Sequence, residues 1–211
     1  MKNHKLYHIW DKVPVTYYQK GVKNNFFQWL WHTHKIKLVK KIIKDLNFKN
    51  CLDVGCASGY MISEISKEFP RTNYFGVDVY DKAISYAKKT YPNIKFKVAS
   101  ADNLLFKDKS FDLILFCETL EHVESPLNCL REIKRVLKKN GTLILTMDSG
   151  SLLFRIVWFF WENTKGRVWR QAHLNPFHHH KLEDLITEVG FKVRKKILSF
   201  IGMEVTFILN K

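Results

Sequence analysis

Leu52-Asp53-Val54-Gly55-Cys56-Ala57-Ser58-Gly59 is the stretch that decides the fold of this chain. An apolar strand that carries Asp53 runs into a turn with glycines at 55 and 59, and an amphipathic segment follows. Glycines between a strand and a helix let a ligand approach the backbone closely. A pyrophosphate group favours bare N–H groups at such a turn, whereas an acid at the strand end favours a ligand with a cationic amino group. The stretch therefore points away from a dinucleotide.

The residues on either side alternate between β and α patterns. Strands are predicted at 50–54, 73–77, 94–98, 111–117 and 142–147, with helices at 58–69 (Ser58 as its cap), 81–91, 125–138 and 179–189, and a turn at Asn140-Gly141. This succession implies a parallel sheet with right-handed crossovers. The segments 191–200 and 203–210 predict a closing antiparallel hairpin. The expected class is therefore α/β, with a Rossmann-like, seven-stranded and mostly parallel sheet.

The segments before and after the core strands are predicted to be additions to a single folded domain. Residues 1–47 form an N-terminal helical extension, in which 24–46 has the pattern of one long basic, aromatic helix. Residues 48–211 form the ligand-binding domain. Within it, about 150–178 is an aromatic lid insertion, because 151–161 is apolar nearly all round.

Composition narrows the class of protein. With 211 residues, 46% hydrophobic and 26% charged, the chain is an ordinary globular protein. Its four cysteines have no CxxC spacing, which indicates reduced thiols and a cytoplasmic location. The N-terminus leads into no apolar signal-peptide segment. The longest apolar run, 152–161, is far shorter than the roughly 20 residues that span a bilayer.

The net charge of +15 is concentrated on the two flanks. Residues 1–50 carry 11 Lys and Arg against 2 acids, residues 51–150 carry 14 against 13, and residues 151–211 carry 10 against 5. Basic flanks attract the phosphates of lipid or nucleic acid. The alternative is a solvated surface that serves solubility.

Polar residues follow each of the next predicted strands. Asp78 ends the second strand, where an acid can accept both hydroxyls of a ribose. Ser100-Ala101-Asp102 follows the third strand, and Cys117 begins Cys117-Glu118-Thr119-Leu120-Glu121-His122-Val123 after the fourth. The carboxyl ends of strands are where open α/β sheets bind their ligands. One ligand site along this edge is therefore expected.

These motifs together resemble those of the class I S-adenosylmethionine (SAM)-dependent methyltransferases, in the methyltransferase type 11/12 group, over residues 48–148. The resemblance implies SAM as cofactor. Ser100 stands where the family has its adenine-contacting acid, so Ala101 N–H and Asp102 are the expected adenine contacts. The residues that the resemblance assigns to cofactor binding are Asp53, Gly55, Cys56, Gly59, Asp78, Val79, Ser100, Ala101, Asp102 and Cys117.

Within that group, the segment 118–123 is similar to the ubiquinone-pathway O-methyltransferases. The resemblance implies a divalent metal such as Mg²⁺, held by Glu118, Glu121 and His122, near the acceptor hydroxyl. Such a cation lowers the pKa of a bound phenol. Two alternatives stay open: Glu121 and His122 only order the loop, or His122 acts as general base, with Glu118 as the second catalytic residue.

The predicted lid and the N-terminal extension supply the candidate substrate residues, namely Tyr18, Trp158 and His173. An apolar helix with Trp, Phe and flanking basic residues suits an anionic membrane surface. The alternative is a buried lid that packs on Phe26, Phe27, Trp29 and Trp31.

The function expected from these features is methyl transfer from SAM to a small-molecule or lipid-linked acceptor, at oxygen. The chain would be cytoplasmic or peripheral on a membrane. Two alternatives remain. One is RNA methylation, suggested by the interleaved lysines and aromatic residues of 17–49, although no RNA-binding module is recognisable. The other is a non-catalytic adaptor with a SAM-binding fold.

Overall fold

A single mixed sheet forms the centre of the molecule in the computed structural model, which describes residues 5–164, 166–175 and 177–211. Its strands are β1 (Asn50–Val54), β2 (Asn73–Asp78), β3 (Lys95–Val98), β4 (Phe111–Cys117), β5 (Leu137–Asp148), β6 (Lys192–Ser199) and β7 (Glu204–Asn210). The strand order is β3-β2-β1-β4-β5-β7-β6. The strands β1 to β5 pair in parallel, and β7 pairs antiparallel with both β5 and β6. The predicted fold class is confirmed.

Helices cover both faces of this sheet. They are α1 (Tyr7–Trp10), α2 (Tyr17–Asn24), α3 (Phe26–Ile43), α4 (Tyr60–Ser66), α5 (Asp81–Thr90), α6 (Pro126–Val136), α7 (Leu152–Asn163) and α8 (His179–Glu188). The C-terminal half of α3 packs with α4 and α5 on one face, where Val39, Ile62 and Ile84 belong to one apolar cluster. On the other face, Ile133 of α6 and Leu182 of α8 belong to a second cluster.

The long helix predicted over 24–46 is present as α3, although its bounds, Phe26–Ile43, are two to three residues shorter at each end. Asn25 has an extended backbone, with φ −134° and ψ 115°, and it separates α2 from α3. Its side-chain oxygen accepts a hydrogen bond from the Gln28 N–H at 3.1 Å. The break follows from this capping bond, because Asn competes for backbone hydrogen bonds that would otherwise continue the helix.

Two local predictions in the sheet region are wrong. Ser58 does not cap α4, which begins after Gly59, and its hydroxyl instead lies 3.0 Å from the Gln19 side-chain nitrogen. The predicted turn at Asn140-Gly141 lies inside β5. There the ladder skips from the pair Phe111–Leu137 to the pair Leu113–Thr142, so a wide bulge absorbs the extra residues.

The predicted lid contains α7 and a short 3₁₀ turn at Arg167–Trp169, whereas Lys165 and Pro176 lie outside the described residues. The Ser151 hydroxyl begins α7 by accepting from the Phe154 N–H. No residue of α7 is buried, and Phe26 and Phe27 are exposed as well. The alternative of a buried lid packed on these phenylalanines is therefore wrong. Over the described residues, none of the helices is long and apolar enough to cross a membrane.

Candidate active site

A cavity of about 350 Å³ opens at the carboxyl ends of the parallel strands. The residues following β1, β2, β3 and β4 contribute to its wall, as expected for an open α/β sheet. Nine of the sequence-predicted site residues line it together: Tyr18, Gly55, Asp78, Val79, Ser100, Ala101, Asp102, Glu118 and His122.

The glycine turn brings backbone to the edge of this cavity. Gly55 and Gly59 have positive φ, at 74° and 77°, and so has Ala57 at 47°. The N–H groups of Gly55 and Cys56 both donate to the Val77 carbonyl. A Cβ on Gly55 would lie 2.3 Å from the Thr119 hydroxyl oxygen, so only glycine fits between the turn and the segment after β4.

Asp78 presents a prearranged carboxylate to the cavity. One oxygen accepts from the Ala57 N–H at 2.8 Å and the other from the Tyr80 N–H at 2.9 Å. Burial raises the pKa of Asp78, whereas these backbone hydrogen bonds oppose the increase. A carboxylate has about four lone-pair sites, so it retains capacity for further donors. This acceptor group fits the two hydroxyls of a vicinal diol such as that of a ribose.

Four predicted cofactor residues lie behind the cavity wall instead of lining it. Asp53 is only 3% exposed, and burial together with Asp78 raises its pKa to about 8. Cys56 and Cys117 are buried thiols, and burial raises the pKa of each. Gly59 acts through its backbone at the start of α4. The cofactor role of these four residues stays a prediction.

The N-terminal extension forms a wall of the cavity that sequence reasoning represented only by Tyr18. The additional lining residues from this region and the lid are Trp10, Val13, Pro14, Val15, Tyr17 and Trp169. Tyr17 contacts Trp169 with ring centroids 5.6 Å apart. The density of aromatic residues before residue 32 was the available signal, but it gave no indication of which side chains turn inward.

Glu118 is held by a buried lysine that the sequence analysis missed. Lys35 Nζ lies 2.7 Å from Glu118 Oε1 and 3.2 Å from Glu204 Oε2. Lys35 is 3% exposed, and the two carboxylates raise its pKa against the effect of burial. The available signal was spacing, because Lys35 shares one helical stripe with Val39 and Ile43 at intervals of four residues.

His122 has a defined tautomer in this arrangement. Its Nδ1 lies 2.8 Å from the Ala172 carbonyl oxygen. Since a carbonyl only accepts hydrogen bonds, the proton of a neutral ring is on Nδ1 and the basic lone pair is on Nε2. His122 therefore lines the cavity as a group that can accept a proton.

The two predicted substrate residues of the lid lie beside His122, outside the lining of the cavity. The ring of His173 stacks on Trp158 with centroids 4.4 Å apart and lies 5.1 Å from the ring of His122. Burial and the neighbouring His122 lower the pKa of His173 to about 3, which keeps its ring neutral. Their role in substrate binding stays a prediction.

The predicted metal set of Glu118, Glu121 and His122 stays a prediction, and in this structure Lys35 pairs with the Glu118 carboxylate. The ligand atoms that do converge, within 4.8 Å of one another, belong to Glu121, His122 and His173. Mg²⁺ prefers oxygen ligands, so one carboxylate and two imidazoles do not fit it. No catalytic step through a metal follows from this geometry.

The strand order and a cavity at the carboxyl ends, with an acid on each side of the glycine turn, define the class I methyltransferase fold. Residues 52–145 match the family described as methyltransferase domain. The chain therefore carries a methyltransferase domain and has the fold of the class I SAM-dependent methyltransferases.

Relatives and solved structures agree with this assignment. The chain is 30% identical to the uncharacterized protein MJ1252 of Methanocaldococcus jannaschii, over 96% of this chain and 73% of that protein. It is 27% identical to demethylmenaquinone methyltransferase of Thermotoga maritima, over 65% of this chain and 58% of that enzyme. It is 29% identical to the ubiquinone biosynthesis O-methyltransferase of Pelagibacter ubique, over 65% of this chain and 53% of that enzyme. The chain thus spans little more than half the length of these two enzymes.

The fold is matched over most of the chain by crystal structures. A SAM-dependent methyltransferase of Thermotoga maritima superimposes with a TM-score of 0.69 at 21% identity, over 93% of this chain and 99% of that one. The PH0226 protein of Pyrococcus horikoshii superimposes with a TM-score of 0.70 at 20% identity, over 88% of this chain and 92% of that one.

Proposed function

We propose that this protein transfers a methyl group from SAM to the oxygen of a small-molecule or lipid-linked acceptor. One observation carries the proposal. The same cavity is lined by Asp78 and the Gly55 turn and by His122 and Tyr18. The names of the quinone-pathway relatives support an acceptor of this class.

The cofactor end of the cavity suits an adenosine. Asp78 would accept hydrogen bonds from the two ribose hydroxyls, and the segment 99–102 would lie against the adenine. Apolar Val79 and Ala99 also line this end. SAM, when bound, supplies a methyl group that is bonded to a positively charged sulfur, and this sulfur is a good leaving group. The chain's task is then to align the acceptor and to exclude water.

His122 is proposed as the base for the acceptor. Its Nε2 accepts the proton of the acceptor hydroxyl as the oxygen becomes methylated, and Nδ1 keeps its hydrogen bond to the Ala172 carbonyl. Glu118, which Lys35 neutralises in part, is proposed to hold the acceptor and to stabilise the protonated imidazole. The chemistry then needs no residue beyond these two.

Labelled SAM tests this proposal with the full chain. The enzyme is incubated with a lipid-containing small-molecule extract or with total RNA, and label is followed into each. We expect label in the extract, on a product that mass spectrometry identifies as a methyl ether. The variant His122→Asn should lose about 100-fold in rate, whereas His180→Asn, at an exposed histidine, should keep it.

Three results would contradict the proposal. Label in RNA alone would favour RNA methylation. Tight SAM binding without transfer to either pool would favour a non-catalytic adaptor. Transfer to nitrogen or carbon would refute the oxygen acceptor.

A further inference from the structure

Large apolar side chains lie exposed on two helices next to the cavity. Phe27 of α3 is 78% exposed, and Phe160 of α7 is 65% exposed. The other exposed apolar residues of these helices are Phe26, Trp29, Leu30, Leu152, Leu153, Ile156, Val157 and Phe159. Exposed apolar groups of this number and size mark a surface that is covered in use.

The turn between β6 and β7 joins the two helices. Phe200 in this turn packs on Trp31 of α3, with ring centroids 4.7 Å apart. The Ser149 hydroxyl, just before α7, donates to the Gly202 carbonyl of the same turn. Ile201 lies between these contacts and is 90% exposed. The turn therefore contacts both α3 and the segment just before α7, and we call the exposed apolar residues of α3, α7 and this turn together the apolar face.

The elements that carry the apolar face are almost free of acids. The sequence of α2 and α3 contains lysines at 20, 23, 35, 37, 40 and 41 and no acid. In α7 and the following 3₁₀ turn, Glu162 stands against Arg155 and Arg167. Most of these basic groups are exposed or half-buried. The elements that carry the apolar face thus have an excess of positive charge.

We propose that the apolar face docks on an anionic lipid bilayer. Aromatic and aliphatic side chains of the face would enter the interface, and the lysines and arginines of the same elements would meet the lipid phosphates. Single-stranded RNA fits less well, because bases stack on aromatic rings and Leu152, Ile156 and Ile201 have none. A second copy of the chain fits less well too, because two faces carried by positively charged elements repel each other.

Vesicle flotation tests this docking. The full chain is mixed with vesicles of phosphatidylcholine alone or with one third phosphatidylglycerol. We expect binding to the anionic vesicles, with a loss of about tenfold when the salt is raised from 50 to 500 mM. The double variant Phe27→Ser/Phe160→Ser should bind about tenfold less. The control Leu105→Ser changes an equally exposed apolar residue away from the face and should bind normally.

A second measurement needs no variant. Brominated lipids should quench the tryptophan fluorescence of the parent chain, because Trp29 belongs to the apolar face. Absence of both flotation and quenching would overturn the proposal. Equal binding to neutral vesicles would overturn its electrostatic part.

Loss of a dimer, and not of vesicle binding, in the double variant would assign the face to a second copy. Loss of RNA binding alone would assign it to RNA. The docking is measured without SAM or acceptor, so its failure leaves the proposed methyl transfer standing, and failure of methyl transfer leaves the docking standing.

Discussion

Backbone conformation at single residues shapes the candidate site. Gly55, Ala57 and Glu118 all have positive φ next to the cavity. For a residue with a Cβ this conformation is unfavourable. Ala57 in the turn after β1 and Glu118 in the segment after β4 are two of the six described non-glycine residues with this conformation. The site therefore depends on how closely these two backbones approach each other.

Replacing Gly55 with Ala should therefore destabilise the protein and weaken SAM binding. Its Cβ would lie 2.3 Å from the Thr119 hydroxyl, and its φ is 74°. Gly202 is the matched control, since its φ is 79° and no atom lies within 4 Å of its Cβ position. Gly202→Ala should lose only about 1 kcal/mol, and Gly55→Ala at least twice as much. Urea unfolding and calorimetry with SAM measure both effects, and equal losses in the two variants would refute the close approach.

At this scale, the sequence predicted the residues that follow one another along the sheet edge. Gly55 and Asp78 were identified because they lie at the ends of strands, and His122 because the segment 118–123 resembles a family motif. Lys35 and Trp10 were not, because only tertiary packing brings them to the edge. The partner of Glu118 was missed for the same reason.

At the scale of elements, Lys35 connects the N-terminal extension to the sheet. It links α3 to Glu118 after β4 and to Glu204 at the start of β7. The carboxylate of Glu204 is fully buried, so its charge has no water to replace the lysine. This ion-pair cluster therefore sets the position of α3 beside the cavity.

Lys35→Met should cost about 3 kcal/mol of unfolding free energy, because it leaves a buried carboxylate without its partner. Lys82→Met is the control, since the Lys82–Asp11 pair is exposed and exposed ion pairs contribute little to stability. Adding Glu204→Gln to Lys35→Met should recover part of the loss. Urea unfolding measures the free energy of unfolding of each variant. A loss of unfolding free energy in Lys35→Met no larger than in Lys82→Met would contradict the cluster's role.

The sequence predicted the order and type of the elements better than their ends. Alternating β and α patterns predicted the five parallel strands, of which β4 is a near-continuous apolar run because it is buried on both faces. The irregularity in β5 was missed, since a local shift of the ladder has no periodic signature. The sequence did not predict the exposure of α7 either, because an apolar helix has the same residue pattern whether it is buried in a lid or exposed on the surface.

At the scale of the whole molecule, buried acidic residues lie near the carboxyl ends of the strands. Burial raises the pKa of Asp53 to about 8, and burial with the nearby Glu118 raises that of Asp148 to about 7. A raised pKa means that the folded state holds its proton more tightly than the unfolded state. The stability that these groups contribute is therefore present below about pH 4 and is lost as pH rises through 7 to 8.

Asp148→Asn should reduce this loss of folding stability with rising pH. The asparagine oxygen can keep the hydrogen bond from the Gly150 N–H but has no proton to lose. Relative to the parent, the variant should gain on the order of 2 kcal/mol between pH 5 and pH 8. Asp45→Asn, at an exposed aspartate, should follow the parent. Thermal or urea unfolding at both values provides the comparison, and parallel curves for parent and Asp148→Asn would refute the burial effect.

Calorimetric titration of SAM into the full chain tests the central claim most directly, namely that the cavity at the strand ends is a SAM site. Asp78→Ala removes the carboxylate that the Ala57 and Tyr80 N–H groups hold in place, and Asp45→Ala is the exposed control. We predict that the parent and Asp45→Ala bind SAM equally and that Asp78→Ala binds at least tenfold more weakly. Absence of binding to the parent, or equal binding to Asp78→Ala, would contradict the account.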